Sequence, residues 1–312
     1  MLVLSPRQVT LSVIAGTAVV VAVVVTLGIT NVVTATEAVG LSAVVAVLGA
    51  LVLVVVMVRR VVRRLTTVTR RLSKVDEGLS TLTEDIRLVG KLDRDVKSLE
   101  RTGKVNYEQL EAYVDIRNLI HPRAPMPSLR GWAASPDVVR FLAEIVRQRH
   151  PKLIVECGSG SSGIWLGYFA EQIKPCRVVC LEHDERYWRM SRDLVRAHDL
   201  DDVVEVRLAP LADWKHGERS YSWYDVEALE DLTDIGLLFV DGPPGTIGPQ
   251  ARFPAVPVLF PRCDDDAVIV LDDAERGEEL VVSDGWLDEY PELERVTLRF
   301  DKGAHVFTRQ VK

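Results

Sequence analysis

Two stretches without a charged side chain, residues 8–36 and 38–58, constrain this chain most. A helix over the first would be roughly 40 Å long at about 1.5 Å per residue, longer than a hydrocarbon core of about 30 Å, and the second just matches that thickness. Val, Ala, Leu and Gly dominate both, and neither carries a polar stripe. Two such runs in tandem predict a pair of transmembrane helices within residues 1–58, not buried helices of a soluble core. A cleavable signal peptide is the rival for the first run, with Arg7 as its charged start and Val33-Thr34-Ala35 as a small-residue site. Against it, the apolar run is longer than a usual signal core.

The flanks orient the pair. Arg59, Arg60, Arg63, Arg64, Arg70, Arg71 and Lys74 follow the second run with no acid among them, and the connection around residues 31–37 holds no Lys or Arg. The positive-inside rule then puts both termini in the cytoplasm, as a multi-pass protein of the cell (inner or plasma) membrane. The same basic block is expected against anionic lipid headgroups. The chain's formal net charge is −7, and residues 1–104 carry a basic excess, so the remainder is more acidic still. That excludes non-specific nucleic-acid binding as its business. Cys157, Cys176, Cys180 and Cys263 form no paired C-x-x-C pattern, so a zinc site is not expected and free thiols are.

Beyond the basic block, Leu65, Val68, Leu72, Val75, Leu79, Leu82, Ile86 and Val89 alternate steps of three and four, and Leu92, Val96 and Leu99 continue after a stammer at Gly90. This predicts a coiled-coil-like stalk within residues 59–104, with a homo-oligomer through residues 62–100; a single amphipathic helix is the alternative. A break is expected at residues 102–104, then a linker with leading helices over 105–150, including a short helix over 107–118 and another begun by Ser135 and Pro136. From residue 151 to 312 strands and helices alternate. Strands are expected over 153–155, 177–181, 203–208, 235–240 and 267–271, with helices to about residue 173 and over 184–197. A closing hairpin over 295–300 and 304–309 turns at Asp301-Lys302-Gly303. The pattern means an α/β fold: a Rossmann-like parallel sheet with an antiparallel terminal hairpin.

The chemistry-bearing segment is residues 155–163, where Gly158, Gly160 and Gly163 fit G-x-G-x-x-G between a strand and a helix. Glycine there lets backbone approach a ligand, and the helix N-terminus favours negative charge. Glu182 ends the next strand about 20 residues on, where an acid can accept from both ribose hydroxyls. This pair fits NAD or S-adenosylmethionine. Three features favour the latter: Glu156, an acid two residues before the first glycine that could accept from a cationic amine; the roughly 150 residues left after the glycines, too few for a separate catalytic domain; and the closing hairpin. Over residues 130–312 the sequence resembles the class I S-adenosylmethionine-dependent methyltransferases. The resemblance implies that Glu156 faces the methionine amine, Gly158, Gly160 and Gly163 line the cofactor, Glu182 holds the ribose, and Ala209 and Leu211 lie beside the adenine.

Asp241 ends one strand and Asp272 and Asp273 the next, so three carboxylates are expected at one rim of the sheet. Hard oxygen ligands of that number suit Mg²⁺ or another divalent cation. In this the chain is similar to the metal-dependent O-methyltransferases, which implies Asp241 and Asp272 as catalytic and all three aspartates as metal ligands. It departs from the catechol type at Pro244, where that pattern has a lysine. His183 and His305 are the substitute bases to consider, Arg252 and Arg276 possible anion binders or surface ion pairs, and Trp132 and Trp223 loop aromatics. The expectation is a membrane-anchored methyltransferase acting on a small-molecule, sugar or lipid-linked acceptor. A non-catalytic membrane scaffold and an NAD-dependent oxidoreductase are the alternatives.

Overall fold

The computed structural model describes residues 5–30 and 32–310; Asn31, expected in the connection, and the first residues of the anchor lie outside the described residues. Two compact units divide at Lys97/Ser98.

The first unit is helical. α1 (Pro6–Ile29) opens with the Ser5 hydroxyl accepting from the Gln8 amide, and α2 (Ala35–Asn118) runs unbroken for 84 residues. Both contain a stretch long and apolar enough to cross a membrane, and only 6% of each such stretch is buried. The two helices touch through small residues. A Cβ on Gly49 would lie 2.5 Å from the Thr17 hydroxyl, and one on Gly28 2.9 Å from the Ala38 side chain. Small residues permit such close approach of two helices. The break expected at residues 102–104 does not occur, nor does a separate helix over 107–118. Gly103 costs about 1 kcal/mol of propensity, but no proline stands beside it to stop the helix.

The second unit begins on the last turns of α2. Ala112 and Ile116 are fully buried, so the segment expected as a linker is part of the core. After α3 (Pro136–Arg149) come β1 (Leu153–Cys157), α4 (Ser161–Glu171), β2 (Arg177–Glu182), α5 (Glu185–Ala197) and β3 (Val204–Leu208). β4 (Leu211–His216), β5 (Arg219–Tyr224), β6 (Ile235–Val240), α6 (Ala255–Leu259), β7 (Cys263–Asp272), α7 (Gly277–Glu289), β8 (Leu293–Leu298) and β9 (Ala304–Arg309) complete it. The sheet order is β3-β2-β1-β6-β7-β9-β8. β1, β2, β3, β6 and β7 are parallel, and β9 is antiparallel to both β7 and β8. This is the Rossmann-like sheet with a terminal antiparallel hairpin.

Successive strand residues point to opposite faces, and each face has its own core. Ile154 and Val178 pack with α3, α4 and α5 through Leu142, Trp165 and Val195. Val155 and Leu181 pack beneath Trp223, Phe253, Leu259 and Trp286. Four elements, β4, β5, α6 and α7, were not anticipated from sequence. β4 and β5 form a separate two-stranded hairpin turning at Gly217, whose φ of +57° suits glycine. α7 fills the crossover between β7 and β8. Trp223 accordingly lies buried in β5, not in a loop, whereas Trp132 is 89% exposed.

Candidate functional site

The order reverses at β1, with β2 on one side and β6 on the other, and such a switch point opens a crevice beyond the strand ends. The glycine loop fills it. Gly158 and Gly160 have φ of +127° and +130°, values that a side chain would strain. Gly163 serves packing instead: a Cβ there would lie 2.6 Å from the Cys180 sulfur and 3.2 Å from a Glu156 oxygen. The Gly158 amide bonds the Leu181 carbonyl at 3.1 Å, and the Asp241 amide bonds Cys157 O at 3.1 Å, which ties the ends of β1, β2 and β6 together.

Glu182 ends β2 beside this loop. One oxygen accepts from the Ser159 hydroxyl at 2.6 Å and the other from the Asp184 amide at 2.9 Å. Ser159 also meets Ser191 at 2.9 Å, so the loop, the strand end and α5 share one polar network. His183 lies 3.2 Å from Glu182. Glu182, expected to hold a ribose, is itself 7% exposed within this network.

Glu156 departs from its expected place. Alternation along β1 turns its side chain onto the α4 face, where it is 1% exposed. Its oxygens accept from the Ser162 hydroxyl and, at 3.2 Å, from the Cys180 thiol. Burial, opposed by those two hydrogen bonds, pushes its carboxyl up to about 7. Both oxygens are thus engaged inside the protein, one at the first turn of α4 and one at β2. Ala209 is fully buried, its amide bonding Glu182 O at 2.8 Å, and Leu211 begins β4 half-buried against the same core.

The three aspartates do converge. One ligand oxygen from each of Asp241, Asp272 and Asp273 lies within 4.8 Å of the others. Asp272 is fully buried and neither of its carboxylate oxygens has a hydrogen-bond partner. Asp273 takes a left-handed φ of +59°, and its side chain faces Arg276 at 2.8 Å, Arg252 at 3.1 Å and Lys302 at 3.5 Å.

Arg252 is neither a surface ion pair nor free for a ligand. Its side chain is 4% exposed and donates to Asp272 O and Asp241 O, each at 2.9 Å, and to an Asp241 carboxylate oxygen at 3.3 Å. It thus ties the ends of β6 and β7. Burial raises the Asp241 carboxyl well above its usual range, helped by Asp272, while Arg252 opposes the shift. Burial beside Asp273 pushes Asp272 up to about 6. Two unpartnered buried oxygens on Asp272, with Asp241 and the remaining oxygen of Asp273 nearby, are a donor set that fits a hard divalent cation.

Other expectations are resolved by packing. His305 is 3% exposed with Nδ1 2.7 Å from the Ser283 hydroxyl, under α7, and its pKa is lowered by burial; it serves the fold, not as a base. Tyr224 is a site residue that the sequence did not disclose. It is 1% exposed, and a Cβ on Gly242 would lie 2.8 Å from its hydroxyl, so it wedges between the ends of β1 and β6. Ser159, Ser162 and Ser191 were missed as well, since a serine in a glycine-rich stretch, or one inside a helix such as α5, carries no distinguishing pattern.

Comparison with known proteins bears on this arrangement. Residues 155–274 match a family model described as a methyltransferase domain. No curated protein matches the chain. Among solved structures the chain is similar to a methyltransferase from Geobacter sulfurreducens, at 19% identity over 56% of this chain and 79% of that one, with a TM-score of 0.43. It is also similar to the SAH-bound Podospora anserina methyltransferase PaMTH1, at 18% identity over 65% and 88% with a TM-score of 0.46. An O-methyltransferase from Bacillus cereus in complex with SAH gives 18% identity, 66% and 91% coverage and a TM-score of 0.45. The matched stretch holds the glycine loop, Glu182 and all three aspartates, and over it the chain is similar to the methyltransferase-domain family, in keeping with the class I S-adenosylmethionine-dependent resemblance of its motifs.

Proposed function

We propose that this protein transfers the methyl group of S-adenosylmethionine to an oxygen of a small-molecule, sugar or lipid-linked acceptor, with a divalent cation held by Asp241, Asp272 and Asp273. The observation that carries the reading is Asp272, fully buried with both oxygens unpartnered beside two more carboxylates. Unpaired buried charge of that kind is costly unless a cation or a proton meets it.

Glu182 would accept from the ribose hydroxyls, with Ser159 fixing the carboxylate's orientation. Gly158 and Gly160 let the backbone lie against the cofactor. A divalent cation, when bound, lowers the pKa of an acceptor hydroxyl and orients its oxygen. Asp241 keeps the most exposed side chain of the triad and is the one an acceptor hydroxyl can reach to give up its proton. The oxygen then forms its bond to the methyl carbon as the carbon–sulfur bond breaks, which leaves S-adenosylhomocysteine. Arg252 holds the strand ends so that the carboxylates cannot splay apart.

The anchor is the second part of the reading. α1 and the first half of α2 present their apolar side chains outward, which a core helix of a soluble protein does not do. We place the protein in the cell membrane with its catalytic unit in the cytoplasm, near acceptors made at the inner leaflet.

Thermal unfolding with and without Mg²⁺ or Mn²⁺ tests the site. A hundredfold excess over Kd should stabilise the protein by about 2.7 kcal/mol, and Asp272→Asn should lose most of that gain while still binding S-adenosylmethionine. Full turnover in excess chelator would rule out the cation's part in the transfer.

A further inference from the structure

Where the apolar half of α2 gives way to charge, one helical face carries Val56, Arg59, Arg60, Arg63, Arg64, Thr67, Val68 and Arg71. Their steps of three and one keep them together over about 22 Å at 1.5 Å per residue. With Val9 of α1 they line a groove of about 710 Å³. No carboxylate occurs in the chain between Glu37 and Asp76. Among the described residues none of these five guanidiniums has an ion-pair partner. The Thr67 hydroxyl is already bonded to the Arg63 carbonyl at 2.9 Å, so the groove's free polar groups are all cationic donors.

We infer that this groove binds the phosphate headgroup of an anionic membrane lipid. Arginine's planar fork suits phosphate oxygens, and five of them without counter-charge are too many for one free anion's needs alone. Val9 and Val56 make one end of the groove's lining apolar, continuous with the charge-free run before Arg59. A molecule with a phosphate and an adjoining acyl chain therefore meets both halves, whereas inorganic phosphate or a nucleic acid meets only the basic one. The face is distinct from most of the heptad seam, sharing only Val68 with it. The inference rests on the apolar segments lying in a bilayer, and not on the methyltransfer reading.

The full chain, purified in neutral detergent and stripped of lipid, is offered equal amounts of phosphatidic acid and phosphatidylcholine with the same acyl chains, and retention is read by native mass spectrometry. Phosphatidic acid should be retained preferentially. The variant Arg60→Gln/Arg63→Gln/Arg64→Gln should lower that retention roughly a hundredfold, at about fivefold per arginine. Arg70→Gln/Arg87→Gln/Arg94→Gln, which removes the same charge outside the groove, should leave it unchanged. Equal retention of both lipids, equal loss in the two variants, or displacement by inorganic phosphate at matched concentration would each overturn the lipid site. Recovery of the chain in the aqueous fraction without detergent would overturn the anchor and the groove together.

Discussion

Glu182 and Glu156 lie on neighbouring strands and on the same face of the sheet, Glu156 paired with Cys180 and Glu182 two residues further along β2. Glu182 stands at a strand end, 7% exposed, with the Ser159 hydroxyl and the Asp184 amide on its two oxygens. Glu182→Ala should weaken S-adenosylmethionine binding by about 1–3 kcal/mol, the range for charge-assisted hydrogen bonds; unchanged affinity by calorimetric titration would remove the ribose assignment. Glu156 makes a different prediction because it is enclosed. Folded, it holds its proton up to about 7, against 4.5 for the ordinary carboxyl. Its contribution to stability is thus complete below about 4.5 and is lost as pH rises through about 7. Denaturant unfolding of residues 98–312 at mildly acid and mildly alkaline pH should show the wild type losing up to about 3 kcal/mol more than Glu156→Gln. Parallel pH profiles would contradict this. The spacing of Glu156 from the glycines was visible in the sequence; which face of β1 it occupies was decided by the pairing of β1 between β2 and β6. Arg252 was legible only as a lone arginine after Gln250, because its three strand-end partners lie at sequence separations that no local pattern links.

At the scale of elements, the strongest periodic signals survived and the weak ones did not. β6 matched its expected range, since a continuous apolar run leaves few choices. β4 and β5 were missed because each mixes charged and aromatic residues in six-residue strands, and their pairing becomes favourable only against Phe253 and the core behind it. The expected break in α2 failed for the opposite reason: the helix runs through Gly40, Gly49, Gly78, Gly90 and Gly103 alike, with no proline to stop it. Along the same helix the heptad seam from Leu65 to Leu99 is more than half exposed at every position. Two chains anchored in one bilayer would present their seams in parallel, and Arg71 would then lie across from Asp76 of a second copy. Leu72→Asp with Leu79→Asp should convert an oligomer in detergent to a monomer, by light scattering with the detergent contribution subtracted. A wild-type chain that is already monomeric at micromolar concentration would leave the seam to some other use.

For the whole molecule, the proposed orientation rests on charge asymmetry. Cysteines placed singly at Thr36 and beyond Arg59 should be labelled from opposite sides of intact cells or vesicles, with Thr36 outside; labelling of Thr36 only after lysis would disprove the two-span hairpin. The class of fold was readable because strand, helix and hairpin signals agreed in order, and the antiparallel β9 between β7 and β8 separates this sheet from a dinucleotide-binding one. The limits of the folded unit were less readable. The stretch that family comparison recognises, 155–274, stops short of what the sheet requires. Val138 and Leu142 of α3 and Ala112 and Ile116 of α2 cover one face, and Trp286 and Phe307 cover the other, all fully buried or nearly so and all outside that stretch. Cut to its recognisable motifs, the chain would keep every proposed ligand-binding side chain and lose the closing strands that hide the edge of β7. It would then present an open strand edge and two greasy faces, the makings of an aggregate that holds the right residues and no working site.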